Sequence, residues 1–279
     1  MKWLFVLFLA LIIFGGAAFF SYRLFFKQEI ALRHEQHGDI PPKPTPDISL
    51  PEFQAAAKLR QEGKLPEARD ALAAFIQKYP AGLHVEEAKD LLGETNVDIF
   101  LSRIPSPEKQ EYIVKPGDVL AKVARKVKST PELIMRTNNL SSTMLHIGDR
   151  LLISHPEFSL VIQRKAKLVV LLEHGAFFKQ YHVREEKLAP KQPPKVTTKV
   201  AETMAWRGGK RVGFGTKEYI GSTRWIRLGA PAYMLYSVPD SAHPNLEQPA
   251  PPSGLGLAAT DVEELSSLVN NRTPVSITD

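Results

Sequence analysis

Side chains that commonly perform nucleophilic or metal chemistry are sparse in this sequence. Cysteine is absent from all 279 residues, which excludes disulfides, thiolate metal sites and a cysteine nucleophile. The eight histidines show no paired spacing of the kind that metal ligands need. No phosphate-binding loop is found, and Gly208-Gly209-Lys210 is predicted to form a turn. We therefore expect neither a metal nor a cofactor.

Composition and charge narrow the classes of function further. The chain is 43% hydrophobic and 24% charged, which is typical of a folded protein, and its length predicts one to three domains. The 36 basic residues exceed the 30 acidic residues by six, and this excess is spread along the chain. We therefore do not expect nucleic acid as a partner.

The N-terminal region is predicted to be a membrane anchor followed by a linker. Residues 3–26 are mostly apolar and, at about 1.5 Å per residue, can span a bilayer core of about 30 Å. A cleaved signal peptide is the alternative, but apolar residues continue beyond the small residues near Ala18. We assign residues 1–27 to an uncleaved signal anchor, and residues 28–52 to an extended proline-rich linker.

Residues 53–102 show the periodicity of helices. Gly63 and Pro80 bound one predicted helix, and a second follows around Leu91. The segment resembles a tetratricopeptide-type hairpin with one further helix, although solenoids usually need three or more repeats. Two interpretations remain open. The segment is either a protein-binding repeat that recruits a wall-synthesis enzyme, or a helical spacer that packs on a neighbouring domain.

Residues 111–155 carry the most specific local pattern. Short β-prone segments at 112–114 and 150–153 enclose helical spacing, which predicts a strand–helix–helix–strand order. Gly117 and Gly148 are placed at tight turns, and Thr130 to Glu132 predicts a helix start with a capping box. The pattern Val-x-x-Gly-Asp-x-Leu, followed by Asn and then Ile-x-x-Gly-Asp-x-Leu-x-Ile, resembles the LysM family.

This resemblance implies binding of peptidoglycan or another glycan that contains N-acetylglucosamine. The groove of the family lies between the loop after the first strand and the loop before the second. On this chain that groove maps onto Gly117, Asp118, Val119, Leu120, Met144, Leu145, His146 and Ile147. For Leu120 and Ile147 we favour a place in the hydrophobic core over a direct contact with sugar.

From residue 158 onward the chain is predicted to be mostly β. His174-Gly175 is expected to form a turn between strands, and Thr260 to Glu263 a capping box that starts the last helix. Residues 158–279 resemble the L,D-transpeptidase catalytic-domain family, through the segments 160–183, 195–209, 221–226 and 261–277.

The family performs acyl transfer with three residues that this chain does not have. Its members cross-link peptidoglycan stem peptides with a cysteine nucleophile, a histidine base and a supporting arginine. The aligned positions here are Gly254, Tyr236 and Gly256, respectively. The resemblance therefore implies a degenerate catalytic scaffold. Ser253 and Ser237 lie nearby, but no spacing in the sequence supplies either serine with a base and an orienting group.

Together these patterns predict a multidomain α+β protein. Its order is a transmembrane helix, a helical hairpin, a βααβ LysM module and a mostly-β domain that resembles L,D-transpeptidases. We expect a peptidoglycan-binding protein of the bacterial plasma membrane, with most of the chain in the periplasm or otherwise outside the cytoplasm, and without transpeptidase activity. The alternative is a divergent transferase or hydrolase that uses a serine nucleophile.

Overall fold

A computed structural model of the chain describes residues 47–104, 109–188, 193–230, 233–251 and 253–279. The predicted anchor and residues 28–46 of the predicted linker lie outside these ranges. Within them, no helix is both long enough and apolar enough to cross a bilayer. Helices and strands are both present, and the C-terminal part is mostly β, as the sequence predicts.

Three helices occupy the first described range: α1 (Leu50–Gln61), α2 (Leu65–Lys78) and α3 (Val85–Leu101). Helices α1 and α2 each have a proline in the first turn. An amide at this position has no hydrogen-bond partner within the helix, so the missing N–H of proline costs no helical hydrogen bond. Helix α1 starts three residues earlier than the predicted segment, inside the expected linker. The helices share a core that includes Phe53, Leu72 and Phe75.

Helix α3 joins this helical segment to the β-rich part of the chain. Its Phe100 packs edge-on against Phe158 and Phe178, with ring centroids 5.4 and 5.7 Å away. Gly93 lies so close to Lys179 that a Cβ on the glycine would come within 2.7 Å of the lysine side chain. Among the described contacts, those of α3 thus favour a spacer packed on a neighbouring domain.

The LysM region has the predicted order: β1 (Lys109–Ile113), α4 (Leu120–Lys126), α5 (Pro131–Thr137) and β2 (Arg150–Ser154), with β1 antiparallel to β2. Thr130 caps α5 by accepting a hydrogen bond from the Leu133 amide at 3.0 Å. The predicted capping-box role of Glu132 is wrong, because this carboxylate accepts a hydrogen bond from the Tyr219 hydroxyl of the β-rich region.

The C-terminal region folds around one large sheet. Its elements are β3 (Phe158–Gln163), β4 (Leu168–Glu173), β5 (Ala176–His182), β6 (Glu185–Lys187), β7 (Lys195–Arg207), β8 (Lys210–Val212), β9 (Thr223–Leu228), β10 (Met234–Val238), β11 (Gly254–Ala258), α6 (Ala259–Leu268) and β12 (Pro274–Thr278). Over the described residues, the strand order is β5-β4-β3-β12-β7-β9-β10-β11-β6, with β8 paired to β7. His174 and Gly175 form the predicted turn, both at positive φ.

The start of helix α6 differs from the prediction. Strand β11 runs directly into the helix, so Thr260 lies in its first turn and cannot act as the cap. The cap comes from a distant loop, because Asp240 Oδ2 accepts hydrogen bonds from the Thr260 amide at 2.8 Å and from its hydroxyl at 2.9 Å. An acceptor at a helix N-terminus satisfies amides that have no partner within the helix.

The main hydrophobic core lies between α6 and the sheet, and α3 and α5 also contribute to it. Val262, Leu265 and Leu268 supply the face of α6. Leu133 of the LysM region belongs to this core, whereas its neighbour Ile134 belongs to the separate LysM core. Helix α5 therefore has two buried faces and fixes the LysM region to the β-rich region.

Candidate functional site

The two Gly-Asp turns of the LysM region have the same construction. Asp118 Oδ2 accepts a hydrogen bond from the Lys115 amide at 2.9 Å, and Asp149 Oδ2 accepts one from the His146 amide at 2.8 Å. The glycine before each aspartate has positive φ, +80° at Gly117 and +91° at Gly148. Each turn thus needs a glycine for its backbone conformation and a carboxylate to close it.

The two turns are held side by side through Val114. Its amide donates to the Asp149 carbonyl at 2.9 Å, and its carbonyl accepts from the Gly148 amide at 2.9 Å. Buried Leu120 anchors the first loop in the LysM core at 2% exposure, as predicted. These backbone bonds fix the two loops that the sequence assigned to glycan binding next to each other.

Apolar side chains project into solvent from these loops. Val119, Met144 and Ile147 are exposed to 52%, 71% and 72%, and we call this set the apolar rim. The prediction that Ile147 is a core residue is wrong, because its side chain leaves the second turn on the solvent side. Leu145 is half-buried against the LysM core, and His146 is exposed. Exposed apolar groups beside turn amides suit the apolar face of a sugar ring.

Asp118 has a structural role that the sequence analysis did not assign. Its carboxylate also accepts a hydrogen bond from the Tyr112 hydroxyl at 2.7 Å. The backbone hydrogen bond from Lys115, followed by the bond from Tyr112, lowers the pKa of Asp118. The Asp118 carboxylate is thus already bonded within its own domain. The apolar rim is therefore more accessible to a glycan than this carboxylate is.

The position aligned with the histidine base holds a buried tyrosine. Tyr236 lies on β10, is 1% exposed, and pairs in parallel with Gly256 of β11. Its hydroxyl donates to Glu185 Oε2 at 3.3 Å. Burial, together with the Glu185 charge, raises the pKa of Tyr236 to about 12. This raised pKa keeps the phenol protonated at neutral pH.

The positions aligned with the cysteine and the arginine have no space for a side chain. A Cβ on Gly254 would overlap the Met234 carbonyl and lie 2.8 Å from the Met234 amide nitrogen. A Cβ on Gly256 would lie 2.6 Å from Val238 Cγ1 and 2.9 Å from Tyr236 Cε2. Neighbouring backbone and side chains therefore occupy the space that a side chain would need at Gly254 and Gly256.

Ser237 and Ser253, the serines of the alternative mechanism, lie in or beside β10 and β11. The buried Ser237 hydroxyl donates to the Arg224 carbonyl at 2.9 Å. His243 Nδ1 lies 3.4 Å from Asp240 Oδ1. Ser253 is half-buried directly before β11. Across the described ranges, no group of three or more acidic or histidine side chains could hold a metal ion.

Comparison with known families identifies a LysM domain at residues 112–154, which confirms that part of the prediction. No curated protein matches the chain.

Solved structures of L,D-transpeptidases are similar to the chain at low identity. One from Mycobacterium smegmatis is 13% identical, with 48% of this chain and 65% of that chain covered and a TM-score of 0.30. One from Mycobacterium tuberculosis H37Rv is 16% identical, with 48% and 63% covered and a TM-score of 0.29. One from Stackebrandtia nassauensis is 14% identical, with 44% and 56% covered and a TM-score of 0.30. The chain spans less than two thirds of each, and scores this low do not establish a shared fold.

Proposed function

We propose that the protein binds peptidoglycan, or another glycan that contains N-acetylglucosamine, through the two Gly-Asp loops of its LysM domain. The observation that carries this proposal is the apolar rim of Val119, Met144 and Ile147, exposed on loops whose backbones are fixed through Val114. Preorganised loops lose little conformational entropy when a ligand binds. Turn amides can bond the acetamido group while the rim covers the ring.

We place this binding at the outer face of the plasma membrane of a bacterium. The apolar residues 3–26 support an uncleaved anchor, and the proline-rich residues 28–46 support a spacer between membrane and wall. In this arrangement the LysM domain and the β-rich region face the periplasm or cell wall. The packing of α3 on the β-rich region supports the helical segment as a spacer in this proposal, and recruitment of a wall-synthesis enzyme by this segment is the alternative.

The β-rich region acts in this proposal as a scaffold that does not catalyse acyl transfer. The absence of cysteine, the buried Tyr236 and the lack of space at Gly254 and Gly256 support it. Removal of the nucleophile and base from such an enzyme costs several orders of magnitude in rate.

Calorimetric titration of the full-length chain with tetra-N-acetylchitotetraose (chitotetraose below) tests the glycan proposal. We expect saturable binding by the wild type and no binding of maltotetraose, which lacks acetamido groups. Absence of a signal at millimolar chitotetraose, or equal binding of the two sugars, would contradict the proposal.

The alternative function, a transferase or hydrolase with a serine nucleophile, predicts that the protein changes the muropeptides it is incubated with. Ser237→Ala or Ser253→Ala should then abolish that change.

A further inference from the structure

Helix α4 of the LysM region exposes a row of basic side chains. Its inner side contributes three buried residues to the LysM core: Leu120, Val123 and Ala124. The outer side carries Lys122, Arg125 and Lys126 at spacings of three and four residues, and all three residues are exposed. We call these three residues the basic face. No acidic residue occurs in the sequence of α4.

The basic face forms no ion pair with a carboxylate among the described residues. Three of the four acidic residues of the LysM region pair elsewhere: Glu111 with Arg150, Asp149 with His146 and Glu132 with Arg224. The fourth, Asp118, is bonded to the Lys115 amide and the Tyr112 hydroxyl. Lys126 contacts a neutral group, the Tyr112 hydroxyl, at 3.5 Å. The three positive charges of the face are therefore open to an external anion.

The position of Lys122 is unfavourable for the helix itself. It lies in the first turn of α4, where the helix dipole favours acidic residues. It also lies one turn before Arg125 and Lys126, and like charges at these spacings repel each other. The dipole accounts for Arg125 and Lys126, which stand in the last turn, but not for Lys122. A local conflict of this kind is typical of residues kept for binding.

Exposed cations of the helical segment are arranged differently. They pair with carboxylates of the same segment: Lys58 and Lys64 with Glu62, Lys78 with Glu52, and Lys89 with Glu86. Exposure alone therefore does not explain why the basic face has no such partners. Lys58 and Lys64 also supply a control for an experiment, because their removal changes the net charge as much as removal of Lys122 and Arg125.

The basic face adjoins the first of the two proposed glycan loops. Helix α4 begins directly after Val119 of the apolar rim. Lys126 Nζ lies 5.3 Å from the centre of the Tyr112 ring, and Tyr112 in turn bonds Asp118 of this loop. Hydrogen bonds from Lys115 and Tyr112 are the main cause of the lowered pKa of Asp118, and the charge of Lys126 adds to it. Branches of a glycan on the apolar rim can thus extend toward the basic face.

We propose that the basic face binds the carboxylates of the peptides that branch from the glycan of peptidoglycan. This inference rests on the proposed glycan function and narrows it, because chitin is uncharged whereas the peptides of peptidoglycan carry free carboxylates. Guanidinium and ammonium groups form charge-assisted hydrogen bonds with carboxylates. On an exposed surface such bonds contribute more to selectivity than to affinity. The LysM domain would therefore distinguish peptidoglycan from chitin.

Calorimetric titration of the full-length chain with a peptidoglycan tetrasaccharide that carries its peptides tests this inference. The ligand is used as the free acid and after conversion of all its carboxyl groups to amides, and chitotetraose is the neutral reference of equal sugar length. We expect the acid to bind about fivefold more tightly than the amide, the size that two exposed ion pairs give. The preference should vanish in about 1 M NaCl, where the screening length is about 3 Å.

Two double variants locate the preference on the chain. Lys122→Gln with Arg125→Gln should bind acid and amide equally and should keep the affinity for chitotetraose. Lys58→Gln with Lys64→Gln removes the same charge from the helical segment and should keep the preference for the acid.

Two results would overturn the inference: equal binding of acid and amide by the wild type, and equal loss of the preference in the two double variants. Equal binding together with weaker retention of the Lys122 and Arg125 variant than of the control on phosphatidylglycerol vesicles would assign the basic face to lipid headgroups instead. Absence of chitotetraose binding would contradict the glycan function itself. Chitotetraose binding without a preference for the acid would overturn this inference alone.

Discussion

Gly254 lies against the backbone of Met234 so closely that a Cβ on the glycine would overlap the Met234 carbonyl and come within 2.8 Å of its amide nitrogen. The φ of Gly254 is +136°, a conformation that residues with side chains rarely adopt. The position aligned with the family nucleophile is therefore restricted to glycine by both backbone conformation and space.

Substitution of Gly254 by alanine should destabilise the protein strongly, by more than about 4 kcal/mol, because it combines backbone strain with steric overlap. The matched control is Gly175→Ala, at φ +81°, where a Cβ would have no atom within 4 Å. That control should cost about 1–2 kcal/mol, the strain alone. Urea denaturation measures both variants, and equal losses of unfolding free energy would show that Gly254 has room for a side chain.

Removal of the Glu132 carboxylate should destabilise the junction between the LysM domain and the β-rich region. Glu132→Ala leaves the buried Arg224 without its carboxylate partner at 3.6 Å, and loss of a buried partner costs about 3 kcal/mol. Glu111→Ala removes an exposed ion pair with Arg150 and should cost less than about 1 kcal/mol. Thermal unfolding of both variants is the measurement, and a smaller loss for Glu132→Ala than for Glu111→Ala would refute this role.

Stability should depend on pH through Asp240. Burial alone would raise the pKa of this carboxyl, but hydrogen bonds from the Thr260 and His243 amides lower it to about 2 from 3.8. Since the folded-state pKa is depressed, the stabilisation is present above the unfolded pKa and is lost as the pH falls from about 4 to about 2.

Asp240→Asn should therefore cost about 2 kcal/mol at pH 7, and its difference from the wild type should shrink between pH 4 and pH 2. Denaturation curves across this pH range provide the measurement. Asp70→Asn, at a helix position where the side chain is 75% exposed, serves as the control with little effect at any pH. A constant difference between the Asp240 variant and the wild type would exclude this ionisation as the cause.

The apolar rim should contribute directly to glycan affinity. The double variant Met144→Ala and Ile147→Ala should weaken chitotetraose binding about tenfold, equivalent to about 1.4 kcal/mol, without a change in thermal stability. Leu83→Ala removes a side chain that is 86% exposed in the helical segment and should leave affinity unchanged. Equal effects of the rim and control variants would show that the rim does not contact the sugar.

The LysM elements could be predicted from local sequence because their determinants are local. Gly117 and Gly148 adopt positive φ, Thr130 caps α5 and Leu120 is buried, and each follows from a few neighbouring residues. The exposure of Ile147 was not predictable in this way, since a hydrophobic residue beside a turn can point either way.

Contacts between distant segments could not be read from the sequence. Asp240 caps α6 from twenty positions before Thr260, and Glu132 meets Tyr219 at a separation of 87 positions. The sequence predicted capping boxes for Thr260 and Glu132 and did not reveal Asp240 and Tyr219 as their partners. Spacing rules describe only partners within one element. The filled space around Gly254 likewise results from the packing of β10 on β11, which alignment to a family motif does not reveal.

The central claim is that the protein holds wall glycan without acyl transfer. Its most direct test is to incubate the full-length chain with purified peptidoglycan sacculi, sediment them, and analyse the pellet for bound protein and for muropeptides by mass spectrometry. We predict protein in the pellet and a muropeptide profile identical to that of untreated sacculi. Protein that stays in the supernatant, or new cross-linked or trimmed muropeptides that Ser237→Ala or Ser253→Ala abolishes, would contradict the claim.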